Sequence, residues 1–243
     1  LGCKKLGINK KNLKIEKSQA VASIGQIELM NLFNEIFKKY KLNLSQILLT
    51  LEDTEIRRRA INAKRTLDNL FNLGFIPLVN ENDSIATSEI KYGDNDRLAS
   101  RVAQISGSDC LVLLSDVDGL FNKNPKLNKN AKLIRNVKQI NNNVEKYISK
   151  NISELGTGGM KTKIEAAKIC QISGCYMAIA NGLVNRPIKN INQNNYCTWF
   201  LPKISKLDAR KKWIISSISP KGELIVDDGA IQALKKGKSL LAA

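Results

Sequence analysis

The stretch Phe75–Asp96, FIPLVNENDSIATSEIKYGDND, joins a short apolar run to a loop crowded with acids and amides. The apolar run, Phe75–Val79, predicts a buried strand. The loop holds five carboxylates against one base, Lys91, although the whole chain carries 39 Lys and Arg against 22 Asp and Glu. Because open α/β sheets bind ligands outside the carboxyl ends of their strands, we expect this loop to belong to a binding site. A solvated acidic loop with turns around Gly93 is the alternative.

Apolar runs and helical patterns alternate along the chain, which predicts an α/β fold with a mainly parallel sheet. The expected helices are Glu16–Tyr40, a segment from an N-cap at Thr54 to Phe71, Arg97–Ile105 and Met160–Ile172. The expected strands are Ile47–Leu49, Phe75–Val79, Cys110–Leu114 and Cys175–Ile179. Lys4–Lys14 is polar, and we expect it to be irregular. Gly25 interrupts the first long helix, which indicates close backbone packing at that point.

Composition excludes several classes of protein. The chain has no histidine, so this segment is not a Ser-His-Asp or Cys-His hydrolase, nor a His-ligated metal enzyme. Its five cysteines form no CxxC pair, which favours a reducing cytoplasm over a disulfide framework or a structural zinc site. No apolar run approaches the roughly 20 residues that span a bilayer, and no signal peptide is visible. We therefore expect a cytoplasmic protein without a membrane partner.

The net charge of +17 and the pI near 9.7 are the first signs of a nucleic-acid-binding protein. The bases, however, are scattered through Lys- and Asn-rich segments such as Asn122–Lys132 and Val137–Lys150. Aromatic residues make up only 5% of the chain and are not interleaved with the bases as a stacking platform requires. We therefore expect no nucleic acid as the main partner, and RNA binding through the basic surface remains the alternative from another class.

A second candidate site is the glycine-rich run Gly156–Gly159, which opens a predicted helix. Glycines let backbone N–H groups approach a phosphate, and the helix N-terminus adds a favourable dipole. Lys163, one turn into the helix, could reach a transferring phosphoryl group. The run is neither a Walker A nor a dinucleotide-binding motif, and a simple helix entry is the alternative. Ser115-Asp116, at the end of another strand, could meet a nucleotide, so the three loops together suit phosphoryl transfer.

The combined motifs resemble the glutamate 5-kinases, a family within the amino acid kinase superfamily. They are VNEND at 79–83, GDND at 93–96, LLSD at 113–116 with Gly119-Leu120, GTGGM at 156–160 with Thr162-Lys163, Ile24-Gly25-Gln26 and Arg210–Ile214. The resemblance runs from Leu1 to about Leu241. NENDS with GDND separates this family from carbamate, uridylate and aspartate kinases. The resemblance implies a three-layer sandwich with a mainly parallel central sheet, the amino acid kinase fold.

The resemblance also implies a reaction: ATP-dependent phosphorylation of the γ-carboxylate of L-glutamate to γ-glutamyl phosphate, the first step of proline biosynthesis. ATP is the implied co-substrate, and Mg²⁺ would bridge its phosphates. The implied assembly is a homo-oligomer, a dimer or tetramer. Proline is the implied feedback inhibitor, acting through the glutamate site, and Glu89 is a candidate for tuning that response.

The resemblance assigns the site residues by position. Asp83 and Asn95 would bind glutamate, with Asn80 and Asp94 helping. Lys163 would offset charge on the transferred group, and Asp96 would orient the lysines; these two are the expected catalytic residues. No residue is expected to bind a metal directly. The expected ATP-binding residues are Ser115, Asp116, Thr157, Gly158, Gly159, Met160, Lys161, Thr162 and Lys163.

The chain departs from the family pattern in several places. The family's first strand, with its phosphate-contacting lysine, and the following Ser-Gly loop have no match, and we expect both to precede Leu1. The chain is therefore expected to be a fragment that is inactive alone. Ser115 stands where threonine is more usual, Phe121 where tyrosine is, and Asn124 where aspartate is. These three leave the nucleotide-side loop less well defined.

The expected domains are a kinase domain over 1–203, a linker over 204–221 and the beginning of a PUA-like module over 222–243. In its neighbourhood we expect strands at Trp213–Ile218 and Glu223–Val226 and a helix at Ala230–Lys236. Three alternatives stay open. The chain could be another amino acid kinase, such as one for acetylglutamate, an RNA-binding protein with a PUA-like tail, or a catalytically dead regulatory subunit.

Overall fold

The computed structural model describes residues 1–9, 13–85, 94–125, 127–141, 159–194, 196–205, 208–209 and 226–235 of the 243. The helices are α1 (Gly2–Leu6), α2 (Ile15–Lys39), α3 (Leu51–Glu55), α4 (Arg57–Asn72), α5 (Asp94–Ser106), α6 (Gly159–Ile172), α7 (Pro187–Asn194) and α8 (Asp228–Lys235). The strands are β1 (Asn43–Leu49), β2 (Phe75–Glu81), β3 (Cys110–Ser115), β4 (Asn136–Val137), β5 (Tyr176–Asn181) and β6 (Thr198–Phe200).

The described strands form two sheets. β1 and β2 pair in parallel, with Leu49 opposite Glu81. The other four strands have the order β3-β5-β6-β4, in which β5 and β6 are antiparallel and the remaining pairs are parallel. The expected α/β fold with mostly parallel pairing is confirmed. β4, β6 and α7 have no counterpart among the predicted elements.

The four-stranded sheet is covered on both faces. Met177 and Ile179 of β5 are fully buried and pack in one cluster with Ala166, Ala167 and Cys170 of α6. The alternate residue of β5, Ala180, packs on the other face with Ile191 of α7 and Cys197. This alternation explains why the strand is a continuous apolar run, since both of its faces lie in a core. Helix, sheet and helix make three layers here.

Two local expectations need correction, and a third is confirmed. The polar segment near the N-terminus contains a short helix, α1, which packs on α2. A Cβ at Gly25 would lie 2.8 Å from the backbone nitrogen of Gly2, so the predicted close packing at Gly25 is confirmed. Thr54 is not an N-cap. Thr50 caps α3 instead, because its hydroxyl and the Asp53 carboxylate form a capping box, and a separate helix, α4, begins at Arg57.

The chain divides into two compact units, Leu1–Arg210 and Lys211–Ala243. In the second unit the predicted helix is present as α8, whereas the two predicted strands at 213–218 and 223–226 lie almost wholly outside the described residues. The PUA-like assignment and the linker boundaries stay predictions. Within the described residues, no helix is both long and apolar enough to cross a lipid bilayer.

Candidate active site

A partly buried ion pair joins α5 and α6 near their N-termini. The Lys163 Nζ atom donates to Asp96 Oδ2 at 2.9 Å, and the Thr162 hydroxyl donates to the same oxygen at 2.9 Å. The two charged side chains are only 13% and 17% exposed. Asp96 therefore holds the ammonium of Lys163 near the start of α6; the catalytic role of the two residues stays a prediction.

Small side chains allow the two helices to approach each other closely. Ala99 and Ala103 of α5 and Ile164 and Ala167 of α6 belong to one apolar cluster directly behind the ion pair. Ser100, also on α5, is fully buried and donates to the carbonyl of Arg97. These residues pack α5 against α6, the two helices that carry Asp96 and Lys163.

The first turn of α6 offers N–H groups to an anion. Among the described residues, no atom lies within 4 Å of a Cβ built on Gly159. The unpaired N–H groups of the first turn and the helix dipole attract negative charge, and Lys163 adds a full positive charge one turn in. Of the predicted phosphate residues, Gly159, Met160 and Lys161 lie in this turn, while Thr157 and Gly158 lie outside the described residues.

The carboxyl ends of β3 and β5 lie side by side, and hydrogen bonds connect the residues at and just after these ends. The Ser115 hydroxyl donates to Asp116 Oδ1 at 3.1 Å, and the N–H of Gly182 donates to the Ser115 carbonyl at 2.7 Å. Asn181 donates to Asp118 Oδ1 at 2.9 Å. Asp116 is exposed and Ser115 half-buried, so both predicted residues can be reached by a ligand at this end of the sheet.

A cavity of about 360 Å³ lies between α2 and the carboxyl ends of β1 and β2. Its walls combine carboxylates, carboxamides and a few apolar side chains. They include Gln26, Met30 and Asn31 of α2, Gln46 and Leu48 of β1, and the run Glu81–Ser84. A mostly apolar lining with a few convergent polar groups is typical of sites for small molecules, and the polar groups would set the orientation of the ligand.

Asp83 is the predicted substrate residue that the structure places in this cavity. Partial burial raises the pKa of its carboxyl above the ordinary value for aspartate. Glu81, at the end of β2, is 7% exposed and lines the same cavity. The two acids together give the cavity a negative wall that can pair with a substrate ammonium.

The other predicted substrate residues have different positions. Asn80 does not line the cavity; its Nδ2 atom donates to Gln26 Oε1 at 2.8 Å, and it is Gln26 that faces the cavity. Asn95 is exposed in the first turn of α5. The backbone of Asp94 begins α5, and its side chain lies outside the described residues. In the sequence, Gln26 stands out only as part of a family motif, because nothing in a helical period indicates that a glutamine contacts a strand residue 54 positions away.

Among the described residues, no group of three or more acidic or cysteine side chains could hold a metal ion. Mg²⁺ commonly binds through nucleotide phosphates, waters and one or two carboxylates rather than in an all-protein cage. Asp116, exposed at the end of β3, is a carboxylate of this kind. The donor set therefore fits an ion that arrives with a nucleotide.

The fold and site define an α/β domain that can bind anions at strand ends and at a helix N-terminus. The chain belongs to the amino acid kinase family, whose model matches residues 3–181. It is 77% identical over all 243 residues to a glutamate 5-kinase of Pelagibacter ubique strain HTCC1062 and 47% identical to one of Nitrobacter hamburgensis. The chain spans 66% and 64% of those relatives, less than two thirds of their length.

A solved structure supports the same fold. The UMP kinase of Ureaplasma parvum superposes with a TM-score of 0.50 at 16% sequence identity, covering 82% of this chain and 75% of that one. At this identity the likeness concerns the fold alone. It agrees with the predicted amino acid kinase architecture.

Proposed function

We propose that the complete protein transfers the γ-phosphoryl group of ATP to the γ-carboxylate of L-glutamate. The observation that carries the proposal is the Lys163–Asp96 pair near the N-terminus of α6, in a chain 77% identical to a glutamate 5-kinase. A carboxylate oxygen of glutamate would attack the γ-phosphorus, the bond to the bridging oxygen would break, and ADP would leave. The product is an acyl phosphate.

Lys163 would act on the phosphoryl group in transit. Its ammonium is held by Asp96 and lies next to the N–H groups of the first turn of α6, so it can stabilise the charge that develops on the transferred group. Because α5 and α6 pack tightly behind it, little conformational freedom is lost when the phosphate arrives. Asp96 orients the lysine and does not itself touch the phosphate.

The cavity beside α2 would bind the amino acid. Asp83 and Glu81 offer negative charge to the α-ammonium, and the carboxamides around them offer donors to a carboxylate. Asn95, in the first turn of α5, belongs to the same helix as Asp96 and would link the amino acid side of the site to the phosphate side. N-acetylglutamate lacks the ammonium, so a cavity with two acids should favour free glutamate.

ATP would lie across the ends of β3 and β5, with Ser115 and Asp116 near the nucleotide and the residues from Thr157 to Lys163 around its phosphates. Mg²⁺ would accompany ATP and offset the charge of the phosphates. We also propose a cytoplasmic homo-oligomer, a dimer or tetramer, with proline as a feedback inhibitor that competes for the amino acid cavity, and a PUA-like module after residue 221.

The test is ATP turnover by the protein of the complete gene, with hydroxylamine present to trap an acyl phosphate as its hydroxamate. We expect glutamate-dependent hydroxamate that EDTA abolishes and proline suppresses. N-acetylglutamate in place of glutamate is the matched control and should give little product. Turnover with N-acetylglutamate alone would assign a related kinase, and a folded protein inactive with both substrates would contradict the proposal.

A further inference from the structure

We propose that Gln26 binds a carboxylate of the amino acid substrate and that Asn80 is the positioning residue that holds Gln26 in place. The inference rests on the proposed kinase function and deepens it, because it names a specificity-determining residue on α2. It also changes the role expected for Asn80, from direct contact with the substrate to support of the residue that makes the contact.

The first observation is the bond between the two carboxamides. Asn80 Nδ2 donates to Gln26 Oε1 at 2.8 Å in a half-buried position. This bond fixes the torsion of the Gln26 amide group, since its oxygen must face β2. The second observation is that Gln26 lines the cavity while Asn80 does not. Asn80 therefore acts from behind Gln26.

The third observation concerns the free end of the same amide. Among the residues that the structure describes, no protein group accepts a hydrogen bond from Gln26 Nε2. Its two N–H donors are available to a ligand in the cavity. A carboxylate is the ligand that such donors fit best, and a hydrogen bond to a charged group is stronger than one between neutral groups.

The surrounding charges explain why a neutral donor is needed. Glu81 and Asp83 make one wall of the cavity negative, which attracts a substrate ammonium but repels a substrate carboxylate. A positively charged side chain would be drawn into an ion pair with these acids. A carboxamide on α2, held by Asn80, offers donors without that competition. The cavity lining then holds partners for both charges of an amino acid.

The other polar side chains on α2 and β1 are less well prepared for this role. The hydroxyl of Ser23 donates to the carbonyl of Ala20, and Asn31 and Gln46 are exposed. Gln26 is also anchored through its backbone, since the preceding residue, Gly25, packs against the backbone of α1. A side chain fixed at both ends loses little entropy when the ligand binds.

The test compares two substitutions of Gln26 in the protein of the complete gene, with KM for glutamate and kcat as readouts. Gln26→Met keeps the size of the side chain and removes its donors. Gln26→Glu keeps an oxygen for Asn80 but sets a carboxylate against the substrate. We expect KM to rise about tenfold or more in Gln26→Met, with kcat within about twofold of wild type, and to rise further in Gln26→Glu.

The matched control is Asn34→Ala, an exposed position on the same helix outside the cavity, which should leave KM unchanged. A double-mutant cycle gives an independent check. Asn80→Ala should raise KM in the wild-type background and add little in the Gln26→Met background, because its effect passes through Gln26.

Three results would overturn the inference. If Gln26→Glu restored the KM lost in Gln26→Met, the only task of Gln26 would be to accept from Asn80. If Gln26→Met left KM unchanged, Gln26 would not contact the substrate. If Asn80→Ala and Gln26→Met raised KM additively, Asn80 would not act through Gln26. A wild-type protein without glutamate-dependent hydroxamate would overturn the proposed function first, and a normal wild type with an unaffected Gln26→Met variant would overturn this inference alone.

Discussion

The two sides of the proposed site are built differently. On the proposed phosphate side, α5 and α6 lie against a strand whose Met177 and Ile179 are fully buried. On the proposed amino acid side, α2 faces a two-stranded sheet in which Phe75 and Ile76 of β2 are 36% and 38% exposed. Apolar packing surrounds the helix that carries Lys163, whereas a half-buried hydrogen bond between Asn80 and Gln26 lies beside the cavity next to α2.

This difference assigns a different kind of effect to each side. A charged group that is largely shielded from water acts most strongly on charge that develops during the reaction. Substitution of Lys163 should therefore lower turnover. A polar cavity that binds the substrate equally in the ground and transition states should affect affinity. Substitutions on each side of the proposed site test this division between turnover and affinity.

Lys163→Ala should lower kcat by about 10²- to 10³-fold and change KM for glutamate little, because its charge is used most in the transition state. Steady-state hydroxamate formation at saturating ATP and glutamate measures both. The control is Glu165→Ala, an exposed position on α6 two residues after Lys163, which should keep wild-type turnover. A wild-type kcat in Lys163→Ala would contradict the proposal that Lys163 stabilises the transferred phosphoryl group.

Packing can be compared directly by truncating one residue on each side. Met177→Ala should lower the free energy of unfolding by about 2–5 kcal/mol, because it leaves a cavity in a closed core. Ile76→Ala, at a position already 38% exposed, should cost about 1 kcal/mol. Urea unfolding of the two variants beside wild type gives both values. Equal losses would show that the two sides are packed alike.

Asp83→Ala or Asn95→Ala should raise KM for glutamate by about 10- to 100-fold and leave KM for ATP nearly unchanged. The reason is that each removes a polar partner of the amino acid and none of the nucleotide. The check is a pair of titrations, one with glutamate varied and one with ATP varied. A comparable rise in KM for ATP would mean that these residues do not discriminate between the two substrates.

The raised pKa of Asp83 predicts a pH effect of smaller size. An ordinary aspartate takes up its proton at a pH near 4. The raised pKa means that the Asp83 carboxyl takes up its proton at a higher pH than that. Only the ionised form pairs with the ammonium, so kcat/KM for glutamate should fall as the pH drops through that raised value. The substrate's own carboxyl titrates as well, and Asp83→Asn provides the baseline. Coincident acid limbs in wild type and Asp83→Asn would contradict this role.

Much of the fold follows from the sequence because it depends on local patterns. The long helix α2, the strand β3 and the helix α6 are present within a residue or two of their predicted bounds. Periodicity identifies such elements since each repeats its apolar spacing over several turns or pleats. The loop of acids after β2 was likewise visible as a departure from the basic composition.

The misses come from contacts that local patterns do not contain. α1 has only five residues and depends on its packing against α2. At Thr50 and Thr54 the same residue type occurs twice, and only the reciprocal bonds with Asp53 show which one is the cap. The pairing of Asp96 with Lys163 joins residues 67 positions apart, and only the family resemblance predicts that Asp96 orients the lysines. Neither periodicity nor the resemblance predicts the bond between Asn80 and Gln26.

The most direct test of the division between the two sides measures Lys163→Ala and Asp83→Ala together, in the same assay with ATP and glutamate both varied. We expect Lys163→Ala to lower kcat and to leave KM for glutamate nearly normal. We expect Asp83→Ala to raise KM for glutamate, with kcat largely recovered at saturating glutamate. If both substitutions changed the same parameter by the same factor, the phosphate side and the amino acid side would not have the separate roles assigned to them.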